Sequence, residues 1–228
     1  MNEFLNHFFF VIYPYIALSI FALGSLARFE REQYTCKSDS SQLLKHGQLR
    51  LGSILFHFGI ISLFFTHLVG LLTPLALFHA FGITVEMKQM MAIVGGLSLG
   101  LVCLGGLLIL IHRRFTEPRL RATSKWSDWL TLLWILLALV LGLATIPVSM
   151  QHTDGHAMLA LMDWAKHLVT FQGDASLHML AVPMIFKLHM VVGMTLFIIF
   201  PFTRLVHAFS GFAAVGYVTR SWQLVRRK

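Results

Sequence analysis

Four histidines lie inside two long apolar segments of the chain, where an ionisable side chain is costly. His57 and His67 belong to one of these segments, and His189 and His207 belong to the last one. A polar group within a bilayer usually faces the interior of a helix bundle and has a partner there. Neutral imidazole binds metal ions and is a common axial ligand of haem iron. These residues could therefore hold metal centres between two helices.

The spacing of the histidines favours two separate centres. His189 and His207 are 18 residues apart, about five turns of an α-helix, so they would share one face. His57 and His67 are 10 residues apart, about 2.8 turns, so their directions differ by roughly 80°. If the two helices are antiparallel, two cross-helix pairs result, and each can bind one iron from both sides, as in cofactor sites built from facing helices. The pattern predicts two haems b.

This interpretation has one geometric difficulty and three alternatives. Ten residues of helix rise about 15 Å and eighteen about 27 Å, so helix tilt, tilted haem planes and a kink at Pro201 must absorb the difference. A histidine in a membrane can also simply form a hydrogen bond between helices. Four of them could form a proton relay in a haem-free subunit, or the chain could be a passive membrane anchor for a soluble complex.

The composition places the chain in a membrane. Of the 228 residues, 57% are hydrophobic and 12% are charged, whereas a soluble domain carries about 25% charged residues. The net charge of +8 does not indicate a nucleic-acid partner, because the basic residues lie at the ends of apolar segments and not in stripes. Cys36 and Cys103 form no CxxC or CxxCH motif, which excludes a cysteine-ligated zinc or iron–sulfur site and argues against covalent haem attachment.

Five segments are long and apolar enough to span a bilayer, which takes about 20 residues. They are residues 4–27, 51–72, 88–111, 129–150 and 184–209. We therefore predict an all-α membrane protein, a bundle of five transmembrane helices that forms a single domain over residues 1–228. Pro14 and Pro201 lie within two of the spans and should kink them. Residues 151–183 are predicted to form a loop with a short interfacial helix around Leu159–Val169.

The distribution of basic residues predicts the orientation. Of the 18 lysines and arginines, 15 fall in the loop after the first span, the loop after the third span, and the end of the chain from Arg204 onward. Because cytoplasmic loops collect Lys and Arg, we expect the N-terminus outside and the C-terminus in the cytoplasm. The His67–His189 pair would then be the outer pair, and the His57–His207 pair the inner one.

Three basic residues are candidates for binding at these centres. Lys88 opens the third span near the level of His67. It could donate a hydrogen bond to a quinol oxygen or a haem propionate, or it could be a snorkelling interfacial lysine. Arg113 and Arg114, at the other end of that span, could pair with propionates of the inner haem or only anchor the helix end. Glycines near the histidines either allow close helix packing or leave room for a macrocycle: Gly52, Gly59, Gly70 and Gly193.

Several segments together resemble one protein family over nearly the whole chain. They are FFFVIYPYIA at 8–17, QYT at 33–35, LFHFGI at 55–60, VEMKQM at 85–90, RATS at 121–124, LGLATIPVS at 141–149, FKLHMVVGMTLFIIFPFTRLVH at 186–207 and the tail RSWQLVRRK. The segments that contain the membrane histidines match the family both in their residues and in the spacing between the histidines. The sequence resembles the gamma subunit of bacterial respiratory nitrate reductases, a diheme cytochrome b of the inner membrane.

The resemblance implies a function, a ligand set and partners. The subunit would oxidise membrane quinol, either ubiquinol or menaquinol, at the outer side. It would pass the electrons to an iron–sulfur beta subunit on the cytoplasmic face, which supplies a molybdenum-containing alpha subunit where nitrate is reduced. The residues assigned by the resemblance are the outer-haem ligands His67 and His189, the inner-haem ligands His57 and His207, and the quinol-site residues Lys88, Gly70 and His67.

Two properties stay open at this point. A diheme subunit of a sulfur-compound or heterodisulfide reductase would have the same haem arrangement, and only the partner subunits distinguish these complexes. The segment LALFHAFGIT at residues 75–84 fits the family pattern less well than the others. It lies near the expected quinol site, so the sequence does not predict which quinone is preferred.

Overall fold

The structure is a computed structural model that describes residues 2–31, 46–151 and 154–209. Within these ranges five helices are long and apolar enough to cross a membrane, as predicted, and no strand is present. Some predicted features lie outside the described residues: the loop residues Lys37 and Lys45, the basic tail from Arg220 onward, and the QYT and RSWQLVRRK segments.

The helices in chain order are α1 at Glu3–Arg31, α2 at His46–Leu72, α3 at Leu75–Ala80, α4 at Val85–Thr116, α5 at Pro118–Thr123, α6 at Trp126–Gln151, α7 at His156–Val169 and α8 at Met184–Ile199. Short 3₁₀ turns occur at Ala175–Met179, Phe200–Phe202 and Arg204–Val206. Helices α1, α2, α4, α6 and α8 are the predicted spans. Helix α7 is the predicted short helix, whereas α3 and α5 were not predicted.

Helix α1 contains a π-helical turn at Phe8–Ile12, just before Pro14. A proline has no N–H, so it cannot donate to the carbonyl four residues earlier, which belongs to Phe10. The indole nitrogen of Trp164 in α7 donates to that carbonyl oxygen at 2.8 Å. Phe10 and Trp164 are buried in the same hydrophobic cluster. Helix α7 therefore packs against α1 at this π-helical turn.

Small residues set the close approach of α2 and α4. A Cβ added at Gly59 would lie 2.6 Å from the Cβ of Cys103, and one at Gly52 would have three atoms of α4 at 3.0–3.2 Å. These two glycines therefore serve close helix packing. A Cβ added at Gly70 or Gly193 would have no heavy atom within 4 Å among the atoms considered, so these two positions leave open space.

Helix α2, which carries His57 and His67, and helix α8, which carries His189, are not packed closely against each other. Helix α2 packs against α4, α4 against α6, α6 against α8, and α8 against α1. Helices α2 and α8 form no extensive backbone contact in the described part of the chain. The histidine side chains of α2 must therefore reach across the space between the two helices to meet His189 on α8 and His207 after it.

The last span is shorter than predicted. Helix α8 ends at Ile199, and the prediction that it continues to residue 209 is wrong. Pro201 lies in the 3₁₀ turn Phe200–Phe202, and Thr203 after it has an extended backbone. The physical reason is that Pro201 lacks the N–H for the next helical hydrogen bond.

The broken end of α8 is held by α1. The guanidinium Nη1 of Arg28 donates to the carbonyl oxygens of Pro201 at 2.7 Å and Thr203 at 2.8 Å. These hydrogen bonds tie the segment after α8 to α1. His207 consequently follows the helix and does not lie within it, and the rise of about 27 Å expected for a continuous helix does not apply.

Candidate bis-histidine sites

The four membrane histidines form the two cross-helix pairs that the spacing predicts. The ring centres of His67 and His189 are 6.0 Å apart, with 47° between the ring planes. The ring centres of His57 and His207 are also 6.0 Å apart, with 77° between the planes. Neither partner of a pair is near in sequence to the other, so the tertiary structure brings each pair together.

Each of these imidazoles makes the same kind of hydrogen bond through Nδ1. The acceptor is a backbone carbonyl oxygen in every case, as follows: Ser53 for His57 at 2.8 Å, Leu63 for His67 at 2.7 Å, Ala138 for His189 at 3.0 Å and Arg204 for His207 at 2.6 Å. A carbonyl oxygen only accepts, so we infer that Nδ1 carries the hydrogen in all four rings. The lone pair then resides on Nε2, and metal-binding histidines are held in this way.

The spacing of the rings fits one metal ion between each pair. Metal–nitrogen bonds of imidazole are about 2.0–2.1 Å long, and a ring nitrogen lies roughly 1.2 Å from its ring centre, so opposed imidazoles on one ion place their centres about 6.4 Å apart. The observed 6.0 Å is close to this value. In the described residues no group of three or more His, Cys, Asp or Glu could hold a metal ion. Two protein ligands per centre suit haem iron, whose macrocycle supplies the other four.

Room for a flat group exists beside the outer pair. Gly193 lies one turn after His189 on α8, and a Cβ there would meet no heavy atom within 4 Å among the atoms considered. A Cβ at Gly142 in α6 would lie 2.9 Å from Cε1 of His189. Gly142 therefore lets the ring rest against α6, where Ala138 accepts its hydrogen bond. Gly142 was not predicted as a site residue, although it lies within the family-like segment at 141–149.

The structure also brings together the predicted quinol-site residues Lys88 and Gly70. The ammonium of Lys88 donates to the Gly70 carbonyl oxygen at 2.7 Å and lies 2.9 Å from the sulfur of Met162 in α7. The side chain is only 5% exposed, and its ammonium is 4.8 Å from the ring centre of Phe78. His67 precedes Gly70 by three residues on α2, which is about one helical turn, and Lys88 of α4 binds α2 at Gly70.

Arg113 and Arg114 lie at the opposite end of α4. Arg113 is buried. Arg114 donates from Nη1 to the hydroxyl of Ser124 at 2.7 Å and to Oδ2 of Asp128 at 3.2 Å. Their pairing with haem propionates stays a prediction, and the structure gives Arg114 a protein partner that the sequence analysis missed.

Asp128 is the centre of a buried ion-pair network at this end of the bundle. It lies in the first turn of α6 and is 4% exposed. Its Oδ1 accepts from Nε of Arg204 at 2.7 Å and from Nη2 at 2.6 Å, while its Oδ2 accepts from Arg114 and from the backbone N–H of Lys125 at 3.0 Å. A negative charge is favourable at a helix N-terminus. The arrangement links α4, α6 and the turn that precedes His207.

A second polar cluster lies outside the spans, between α7 and the turn at Ala175–Met179. Nδ1 of His167 is 2.8 Å from Oδ1 of Asp174 and 3.3 Å from Nε2 of His178. The hydrogen bond with His167 holds the pKa of the Asp174 carboxyl below its ordinary value. The cluster connects α7 to the loop that follows it, and its histidines were not predicted to lie together.

Known proteins match the chain over its whole length. The nitrate reductase gamma subunit family model matches residues 6–228. The respiratory nitrate reductase 1 gamma chain of Escherichia coli (strain K12) is 47% identical over 226 residues, which covers 99% of each chain. The respiratory nitrate reductase 2 gamma chain of the same organism is 45% identical over all of both chains. The nitrate reductase gamma chain of Bacillus subtilis (strain 168) is 39% identical over 95% of this chain and 96% of its own. With five helices able to span a membrane and a match of this extent, the chain belongs to the nitrate reductase gamma subunit family.

Proposed function

We propose that this chain is a diheme cytochrome b that oxidises membrane quinol on the outer side and delivers electrons to an iron–sulfur subunit on the cytoplasmic face. Membership of its family makes it a membrane subunit of a respiratory nitrate reductase complex. The reduction of nitrate would take place in a molybdenum-containing alpha subunit beyond the iron–sulfur beta subunit. The complex would reside in the bacterial inner membrane, with the N-terminus of this chain outside.

The observation that carries the proposal is the pair of opposed imidazoles at each level of the bundle. Both ring separations are 6.0 Å, and all four Nδ1 atoms lie against backbone carbonyls. A haem-free proton relay would require rings that exchange protons with one another or with water. Here the Nδ1 position of every ring is already used by a carbonyl that cannot donate, which favours metal ligation through Nε2.

The four histidines would hold two haems b, the outer one by His67 and His189 and the inner one by His57 and His207. When bound by these histidines, each haem would supply one-electron transfer chemistry. The histidines orient this group because their Nδ1 hydrogen bonds fix the rotation of each ring. The apolar walls of the spans keep water away from the two centres.

Lys88 would bind the quinol headgroup. Its buried ammonium has three donors, and one of its contacts is the sulfur of Met162, which is a weak acceptor. A quinol oxygen is a better acceptor and would replace this contact. Gly70 keeps the approach to Lys88 open because it has no side chain, and its carbonyl holds the ammonium in place.

The arrangement would make the reaction electrogenic. Protons of the quinol would leave on the outer side, and the electrons would move inward. Moving one charge against the membrane potential costs about 2.3 kcal/mol per 100 mV, so the potentials of the two haems must supply that difference. The positive groups Arg113 and Arg114 would pair with the propionates of the inner haem.

A reduced-minus-oxidised visible spectrum of the purified complex tests the proposal. We expect two b-type haems per gamma chain. His67→Ala and His189→Ala should each remove the outer haem, whereas His57→Ala and His207→Ala should each remove the inner one. His112→Ala, an exposed histidine on α4 that belongs to neither pair, is the matched control and should keep both.

The proposal would be wrong if a folded complex without haem in this chain oxidised quinol at the normal rate. It would also be wrong if the pigment disappeared in the His112 control to the same extent as in the four ligand variants.

A further inference from the structure

We propose that Asp128 is a positioning residue for His207, and that it acts through the side chain of Arg204. The inference rests on the proposed function, because it treats His207 as a ligand of the inner haem. It assigns to Asp128 a role in one of the two centres only.

The ion pair between Asp128 and Arg204 is short, and Asp128 is buried. Two N–H groups of Arg204 reach the same carboxylate oxygen at 2.6 and 2.7 Å, and the side chain of Asp128 is only 5% exposed. Hydrogen bonds between ionised groups are the strong ones, and breaking a buried pair leaves an uncompensated charge. Asp128 therefore holds the side chain of Arg204 through both of these N–H groups.

The backbone of Arg204 is in direct contact with the imidazole of His207. The backbone carbonyl of Arg204 itself accepts the Nδ1 hydrogen of His207 at 2.6 Å. Arg204 begins the 3₁₀ turn Arg204–Val206 directly after the extended Thr203. Because α8 has already ended at Ile199, no continuous helix fixes the position of this carbonyl. The ion pair to α6 fixes Arg204 itself, beside the contacts of Arg28 with Pro201 and Thr203 that precede it.

In the outer centre, the carbonyl that accepts from the ligand histidine of α8 is supported differently. The carbonyl that accepts from His189 belongs to Ala138, which lies in the middle of the continuous helix α6. No side-chain ion pair is needed to hold it. Loss of the negative charge at Asp128 should therefore disturb the inner centre and spare the outer one, although α6 contributes to both.

The experiment compares Asp128→Asn and Arg204→Lys in the assembled complex. The amide of Asn keeps the size but removes the charge, and Lys keeps the charge but cannot form the two-pronged contact of Arg. We expect inner-haem retention to fall by about 10-fold, the lower end of the 10–100-fold range for groups that orient a metal ligand. The low-spin electron paramagnetic resonance signal of the remaining inner haem should shift, while the outer haem should be unchanged.

Two further variants separate positioning from general destabilisation. Asp128→Glu keeps the charge and should restore most of the inner haem. Asp154→Asn changes an exposed aspartate outside the spans and should have no effect on either haem.

Three outcomes would overturn the inference while leaving the proposed function intact. Both haems could keep their normal content and resonance signals in Asp128→Asn and Arg204→Lys. Both haems could be lost together, which would indicate a merely structural role. Asp128→Glu could fail to restore the inner haem. If the unaltered complex carried no haem in this chain, the proposed function itself would fail.

Discussion

The outer and inner histidine pairs have the same ring separation, yet the protein supports them in different ways. Both outer histidines are on continuous helices, and the ring of His189 rests on Gly142 of the neighbouring span. In the inner pair His57 lies within the long helix α2, whereas His207 lies beyond the end of α8. His207 follows a broken helix end held by Arg28 and by the Arg204–Asp128 ion pair.

The difference shows that one ligand geometry can be built on two kinds of support. Helix packing is apolar and is not screened by salt, whereas ion pairs depend on charge and on the exact side chain. The outer centre should therefore be sensitive to changes in volume. The inner centre should be sensitive to changes in charge.

The largest effect is expected for Lys88→Met, which separates quinol binding from haem binding at the outer side. Loss of hydrogen bonds from a charged donor, worth about 1.5–3 kcal/mol each, should lower quinol-dependent kcat/KM by about 10–100-fold. Both haems should remain, because Lys88 contacts neither histidine in the hydrogen bonds described. Lys166→Met, an exposed lysine on α7, is the control. Normal quinol oxidation by Lys88→Met would contradict the role of Lys88.

Gly142→Ala should perturb the outer haem alone. The new Cβ would lie 2.9 Å from Cε1 of His189, so the ring must shift or its hydrogen bond to Ala138 must lengthen. We expect about a 10-fold loss of outer-haem retention, measured from the visible spectrum. Gly105→Ala is the matched control, since a Cβ there meets no heavy atom within 4 Å among the atoms considered. A change in the inner haem of Gly142→Ala would break the comparison between the two centres.

Arg28→Gln should weaken the inner centre only, and by less. The variant removes a charged donor from the carbonyls of Pro201 and Thr203, but the ion pair of Arg204 persists. We expect inner-haem retention to fall by about 3-fold. This is half, on a logarithmic scale, of the roughly 10-fold loss expected for a group that orients a metal ligand. Arg31→Gln, an exposed arginine one turn later, should leave both haems unchanged. Equal effects from the two arginines would indicate general surface electrostatics.

The smallest effect concerns the polar cluster outside the spans. The pKa of Asp174 is held below its ordinary value by His167, so its stabilising contribution is fully present above the unfolded pKa of about 3.9 and is lost as the pH falls through the lower folded pKa. Asp174→Asn should therefore lower Tm slightly near pH 6, and the difference from the unaltered protein should shrink toward about pH 3. A Tm difference that grows on acidification would contradict this linkage.

Local properties of the sequence predicted much of this molecule. Hydropathy located the five spans, because a bilayer requires about 20 apolar residues per helix. The placement of two histidines on each of two spans predicted two pairs, and the rings of these pairs lie 6.0 Å apart in the structure, while their role as haem ligands stays a prediction. Neither the orientation in the membrane nor the propionate partners is tested by the structure, and these remain predictions.

The end of the last span shows why the remainder was not predictable. Hydropathy continues past Pro201, so the sequence favoured a kinked helix to residue 209. Whether a proline kinks a helix or ends it depends on the contacts of the backbone that follows it, and here Arg28 from a distant part of the chain binds the carbonyls of Pro201 and Thr203. For the same reason neither Gly142 nor Asp128 was identified, because their importance comes from neighbours 47 and 76 residues away.

The sequence by itself determined the membrane class, the number of spans and the four imidazoles that meet in pairs, because burial in lipid and ligand chemistry are properties of residue types. The tertiary structure decided which carbonyl orients each ring, which glycines pack and which leave space, and which charges hold the inner ligand. Those features depend on distances of 2.6–3.0 Å between remote residues, and only the packed bundle fixes such distances.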